Sequence, residues 1–101
     1  MNKYYILEGH TPVLTNIMTW VEWFSEAKRR VASKKIGDIH ISTIFLSHGY
    51  GFIRGKPLLF ETLVFGGPLD GKINRYTTWE KAEKGHKAMV ARVEKALKVK
   101  P

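Results

Sequence analysis

The sequence predicts an α+β domain: a mainly antiparallel sheet of four to five strands, with two helices packed on one of its faces. Three observations carry this expectation. Ile39–Leu46 and Leu58–Phe65 are apolar, β-branched runs of strand length. Thr19-Trp20 and Thr78-Trp79 each open a stretch in which apolar residues recur at spacings of three and four. Glycine- and proline-rich turns separate these segments, and the order strand or hairpin, helix, three or more strands, helix points to an antiparallel sheet with helices on one face.

Residues Lys3–Leu7 form the expected edge strand, ended by the turn signal Glu8-Gly9-His10-Thr11-Pro12. Thr19 and Glu22 make a capping box that starts the first helix at Trp20, with Met18 and Trp23 as its staple. Trp20, Trp23, Phe24, Ala27 and Val31 give that helix an apolar stripe, and Lys28, Arg29 and Arg30 suit the negative end of its dipole. Ile39–Leu46 and Leu58–Phe65 are the two central strands, and Ile73–Thr77 returns as another after the Gly66–Gly71 turn. Thr77 and Glu80 then cap a long last helix, with Trp79, Ala82, His86, Val90, Val93 and Leu97 on one side. The core is expected to include Trp20, Trp23, Phe24, Phe45, Phe60, Leu63, Trp79, Val90 and Val93.

At 101 residues with 44% hydrophobic content, residues 1–101 form a single domain with one modest core. No apolar run reaches the roughly 20 residues that span a bilayer, and Glu8 interrupts any secretory core near the start. The absence of cysteine removes thiolate chemistry and disulfides and fits a reducing compartment, so a cytoplasmic location is expected, with no membrane partner. The net charge of +8 favours polyanions, which makes nucleic acid, nucleotides and acidic proteins the natural partner classes; self-association stays open.

The most distinctive stretch is the 47–57 loop between the two central strands, Ser47-His48-Gly49-Tyr50-Gly51-Phe52-Ile53-Arg54-Gly55-Lys56-Pro57. Its glycines let backbone N–H groups approach an anion, Arg54 and Lys56 offer charge-assisted hydrogen bonds to phosphate, and Tyr50 and Phe52 offer stacking surfaces. The competing structural account is a long hairpin whose aromatics fold back onto the core. Glu61 sits in an apolar run where a carboxylate needs a partner: an arginine such as Arg30 or Arg75, a ligand, or Ser42 or Thr43 on the preceding strand. His40, His48 and His86 fall at positions expected to be partly enclosed but lack ligand-pair spacing, and His86 falls on the apolar stripe, where a histidine bonded to a backbone carbonyl is expected. Gly85 beside it implies close packing against the sheet. The basic side of the last helix is explained mostly as a solvated face. No nucleophile elbow, Walker A motif or dinucleotide fingerprint is present, so neither catalysis nor a cofactor is expected.

Arg29-Arg30-Val31-Ala32, Ile41-Ser42-Thr43-Ile44-Phe45-Leu46, Phe60-Glu61-Thr62 with Phe65-Gly66-Gly67, and Tyr76-Thr77-Thr78-Trp79 with Gly85-His86 together resemble a family of small uncharacterised proteins of tailed bacteriophages. The likeness spans nearly the whole chain. The segment Ser47-His48-Gly49-Tyr50 departs from the family pattern, which has a Leu-Asp-His type sequence there. The resemblance implies an accessory factor working in the host cytoplasm, against host defence among other roles. Residues and resemblance together lead to the expectation of a non-enzymatic module for an anionic ligand, a nucleotide or short nucleic acid, bound by His48, Tyr50, Phe52, Arg54, Lys56, Glu61 and Ser42. Two alternatives stay open: a protein that blocks a host protein through its basic surface, and a small enzyme that uses Glu61.

Overall fold

The computed structural model describes residues 3–48 and 51–98. Strands β1 (Tyr4–Glu8) and β2 (Thr11–Thr15) form a hairpin that leads into helix α1 (Ile17–Glu26). Strands β3 (Arg30–Ile36), β4 (Ile39–Phe45), β7 (Phe60–Phe65) and β8 (Ile73–Tyr76) form an antiparallel sheet in the order β3-β4-β7-β8. A small hairpin, β5 (Phe52–Ile53) and β6 (Lys56–Pro57), fills the β4–β7 connection, and helix α2 (Trp79–Lys98) closes the described chain. The α+β class and the two central strands are as the sequence predicts. Neither helix is long and apolar enough to cross a membrane.

The two central strands fix the faces of the sheet. Thr43 lies opposite Thr62 and Phe45 opposite Phe60, so alternate residues point to the same side. Burial along β4 alternates strictly between buried and half-buried. The inner face carries Ile39, Ile41 and Val64 against Met89 and Val93 of α2. At its other end, Phe45, Leu59, Phe60 and Ala82 pack with Trp23, Tyr5, Leu7 and Trp79, so the N-terminal hairpin, α1 and the head of α2 cover that end. Each fully buried Phe contributes about 1.5–3 kcal/mol by leaving water. His10, at the tip of the β1–β2 hairpin, stacks on Trp79 at a centroid distance of 3.8 Å and so ties that hairpin to the last helix.

Several local expectations are corrected. Helix α1 starts one turn earlier than Trp20: Asn16 is its cap, and the Thr19 backbone N–H donates to Asn16 Oδ1 at 2.9 Å. Met18 is 72% exposed and makes no staple. The helix also stops at Glu26, before the cations expected at its end, because the sheet claims that segment. The Phe45 N–H donates to the Arg29 carbonyl at 2.7 Å, the Arg29 guanidinium donates to the Phe45 carbonyl at 3.0 Å, and the same guanidinium lies 4.3 Å from the Phe24 ring centre. Arg30 and Val31 therefore belong to β3, an edge strand whose charged residues hide it from a hydrophobic pattern. Pro12 is in β2 and not in the turn; a two-stranded ribbon tolerates its missing N–H.

Helix α2 starts at Trp79 as predicted, but Thr78 is the capping residue: its hydroxyl accepts from the Lys81 N–H at 3.1 Å. Its inward stripe is Ala82, His86, Met89 and Val93, while Leu97 is exposed. Leu63 is not in the core, since its register with Ser42 puts it on the outer face. Trp20, Trp23, Phe24, Trp79 and Val90 are half-buried.

Gly85 does permit the close approach that its sequence position implies. A Cβ there would overlap the Tyr76 ring, and that ring is held by its hydroxyl donating to Thr62 Oγ1 at 3.1 Å. Gly→Ala in a helix interior ordinarily stabilises by about 1 kcal/mol. Here Gly85→Ala is expected to destabilise by about 1–3 kcal/mol, the range for overpacking, read as a lower urea midpoint at unchanged slope. A raised midpoint would mean that Tyr76 moves aside without cost.

Candidate functional site

After Phe45 the chain leaves the sheet through Leu46 and Ser47 and returns at Leu59, with the Leu46 N–H donating to the Leu59 carbonyl at 2.7 Å. Between these points β5 and β6 pair around a two-residue turn in which Arg54 has φ 52° and Gly55 φ 78°. Positive φ at both central positions is the type I′ pattern, whose twist matches that of the flanking strands. Glycine meets it freely; an L-residue such as Arg54 does so at about 1–2 kcal/mol. The hairpin is a surface arm: Arg54 and Lys56 are exposed, and Phe52 and Ile53 are 64% and 54% exposed. The aromatic at 52 therefore does not fold back onto the core. No acidic residue occurs between Leu46 and Phe60.

The root of the arm is unusual. Ser47 is fully buried, has φ 67°, and accepts the Tyr5 N–H on its carbonyl at 2.9 Å, while its hydroxyl has no hydrogen-bond partner. His48 next to it is exposed, not enclosed, with its ring edge-on to Trp20 at 6.2 Å. The indole N–H of Trp20 is also buried without a partner. Buried polar groups are ordinarily satisfied, so both stand out among the described residues. Thr77 and Trp79 form a second such pair at the head of α2. Tyr50, predicted as a stacking residue, and Gly49 lie outside the described residues.

Glu61 and Ser42 stand on the outer face of the sheet and not on the arm. Register places Arg30, Ile44, Glu61 and Arg75 in one row across the four strands, the outer row nearest the arm's root. Arg75 Nε donates to Glu61 Oε2 at 3.0 Å, so the partner of Glu61 is Arg75 and not Arg30. Ser42 lies opposite Leu63 and Thr43 opposite Thr62, and neither faces Glu61 as the sequence allowed. Beside this row, Ala27, Lys28, Arg29, Arg30 and Ile44 line an open groove of about 500 Å³. The sequence reads those cations only as a helix terminus; the signal for the groove is that they end up between a helix and an edge strand. Among the described residues, no three His, Asp or Glu side chains converge as metal ligands.

Three of the predicted residues, Phe52, Arg54 and Lys56, thus lie on the arm with His48 at its root, but Phe52 stands opposite Pro57 and Lys56 opposite Ile53, so Phe52 and Lys56 point to opposite faces of the hairpin; Glu61 and Ser42 share a neighbouring surface. The chain matches no family model, and no curated protein or solved structure is similar enough to it to count as a match.

His86 belongs to the interior. Its Nδ1 is 2.7 Å from Thr43 Oγ1, which is 2.5 Å from Thr62 Oγ1, and Thr62 accepts from the Tyr76 hydroxyl. Its partner is a threonine hydroxyl and not the expected backbone carbonyl. Every hydroxyl proton finds an acceptor if Tyr76 donates to Thr62, Thr62 to Thr43 and Thr43 to an unprotonated Nδ1, which assigns His86 the neutral Nε2–H tautomer. Desolvation lowers its pKa below the ordinary histidine value. A lowered folded pKa means that the unfolded chain binds the proton first, so this contribution is complete above about pH 6.5 and is lost as pH falls through the folded value. Urea unfolding across that acid range is expected to show declining stability in the wild type and a weaker decline in His86→Gln. Parallel curves would show that His86 is not the group responsible.

Proposed function

We propose that this domain is a non-enzymatic binding module for an anionic ligand, a nucleotide or short nucleic acid, held at the β5–β6 arm and its root. The observation that carries the reading is the arm itself. It displays Phe52 and Ile53 to water beside Arg54 and Lys56, in a stretch without a single carboxylate. Exposed apolar side chains next to cations suit a ligand with both a flat face and a phosphate. Ser47 and Trp20 add buried donors at the arm's foot. The overall charge of +8 draws such ligands in at long range, and the groove at Lys28–Arg30 extends the basic surface. Glu61, engaged by Arg75, serves here as a structural neighbour more than as a base. Taken with the resemblance to phage proteins, such a module would act as an accessory factor in a host cell, where sequestering a signalling nucleotide is one route to countering defence.

Arg54→Ala is expected to weaken nucleotide binding, measured by calorimetry, by about 1.5–3 kcal/mol, the range for a hydrogen bond to a charged group. Lys95→Ala, on the exposed side of α2, should change it little. Equal losses at both positions would indicate diffuse polyelectrolyte attraction, with a steep salt slope to match. A protein that ignored nucleotides and oligonucleotides alike would favour an interaction protein working through its basic surface.

A further inference from the structure

The face of the sheet opposite α2 carries more than a small-ligand site requires. Both helices and the N-terminal hairpin pack at the inner face, through Phe45, Phe60, Ile41 and Val64, and no described helix covers the outer one. Its side chains fall in three rows, roughly 7 Å apart at two residues per row. The row nearest the arm is Arg30, Ile44, Glu61 and Arg75; the next is Ser33, Ser42, Leu63 and Ile73; the last is Lys35, His40 and Phe65. In the last row His40 and Phe65 stack, with centroids 5.9 Å apart and planes at 24°, and His40 Nε2 is hydrogen-bonded to Ser33 Oγ at 2.7 Å. Phe65 and Ile73 remain 49% and 46% exposed.

An uncovered face with a fixed aromatic pair has two obvious occupants, another copy of the chain or a ligand with flat apolar surfaces. Charge decides between them. Within the three rows, Arg30, Lys35 and Arg75 lie toward the two edges of the face against one carboxylate, Glu61, which is itself bonded to Arg75; Asp38 and Asp70 lie in the turns beyond the His40–Phe65 row, and Asp70 accepts the Gly66 N–H. A second copy would bring another net charge of +8 against this surface. A polyanion with bases to stack meets both features at once.

We infer that the ligand is a single-stranded nucleic acid laid across this outer face, with one base stacked on the His40–Phe65 pair and its backbone passing the cations of β3 and β8 toward the arm. The inference deepens the proposed function and rests on it for the anionic character of the ligand, but it uses residues that the arm does not contain. Phe65 positions a base by stacking; His40, held by Ser33, backs the Phe65 ring and fixes its orientation; Ser42 offers a hydroxyl in the middle of the track.

The test is fluorescence anisotropy with labelled oligo(U) and oligo(dT) of roughly 12 nucleotides, within the usual site size of such surfaces, alongside calorimetry with a mononucleotide. Phe65→Ala is expected to weaken oligonucleotide binding roughly 5- to 150-fold, the equivalent of losing one stacked base, and to leave mononucleotide binding unchanged. Phe65→Trp should retain the affinity, and Arg54→Ala should weaken both ligands. A tighter grip on oligo(U) or on oligo(dT) would each support the track and identify the sugar. Oligonucleotide binding untouched by Phe65→Ala but lost in Arg54→Ala would overturn the track and leave the arm standing. The reverse pattern would keep the track and remove the arm. Equal competition by a duplex of the same length, or a wild-type dimer in sedimentation that Phe65→Ala dissociates, would also overturn it.

Discussion

The antiparallel pairing of β4 with β7 is the constraint on which the rest of the molecule depends. It puts Thr43 opposite Thr62 and Phe45 opposite Phe60, and every inward and outward residue of both strands follows from that one register. A slip by a single residue would send Ile41, Thr43 and Phe45 to the solvent side and bring Ser42 and Ile44 into the core. The polar chain from Tyr76 through Thr62 and Thr43 to His86 penalises such a slip, because the groups that stay inside, Thr62 and His86, would lose Thr43 as their partner at about 1–3 kcal/mol apiece. An apolar pair would fill the same space but would tolerate other registers. Here the sheet and α2 are keyed to each other by polar groups as well as by packing.

That pairing also divides the labour of the two faces. The inner side is consumed by α2, whose approach is close because Gly85 has no side chain to hold the Tyr76 ring away. The outer side is left with the residues that alternate against the core set, and these combine cations, hydroxyls and a stacked aromatic pair. The arm grows from the end of the sheet where β4 and β7 part, so its cations border the Arg30–Glu61–Arg75 row. Core and outer surface are thus two consequences of one strand register, and a substitution that disturbs the buried threonines would be felt at the face proposed to bind.

Much of the fold is legible in the chain. The β-branched runs announce the central strands, Trp79 announces the start of α2, and Gly85 signals close packing before any contact is seen. The boundaries of α1 are not legible, because Asn16 and Thr19 are both competent caps and the choice belongs to whichever suits the exit from β2. Strand β3 escapes notice for a similar reason: Arg30, Ser33, Lys34 and Lys35 read as a solvated segment until an edge position lets them face water while their backbone pairs with β4. The arm is partly legible, since a glycine-rich stretch with two cations separates the two central strands, and its exposure is not, because Phe52 is as suitable for a core as for a ligand.

By itself, the sequence determined the class of the fold, the identity of its central strands, the last helix and its cationic surplus, since local periodicity and composition encode these directly. Only the tertiary structure decided that Glu61 pairs with Arg75, that Leu63 and Phe65 face outward, that His86 joins two threonines, and that Ser47 is buried with an unanswered hydroxyl. Each of those depends on which residues stand opposite one another across strands distant in the chain. Register of that kind is set by the packing energy of the whole sheet against its helix, and no stretch of residues carries it alone.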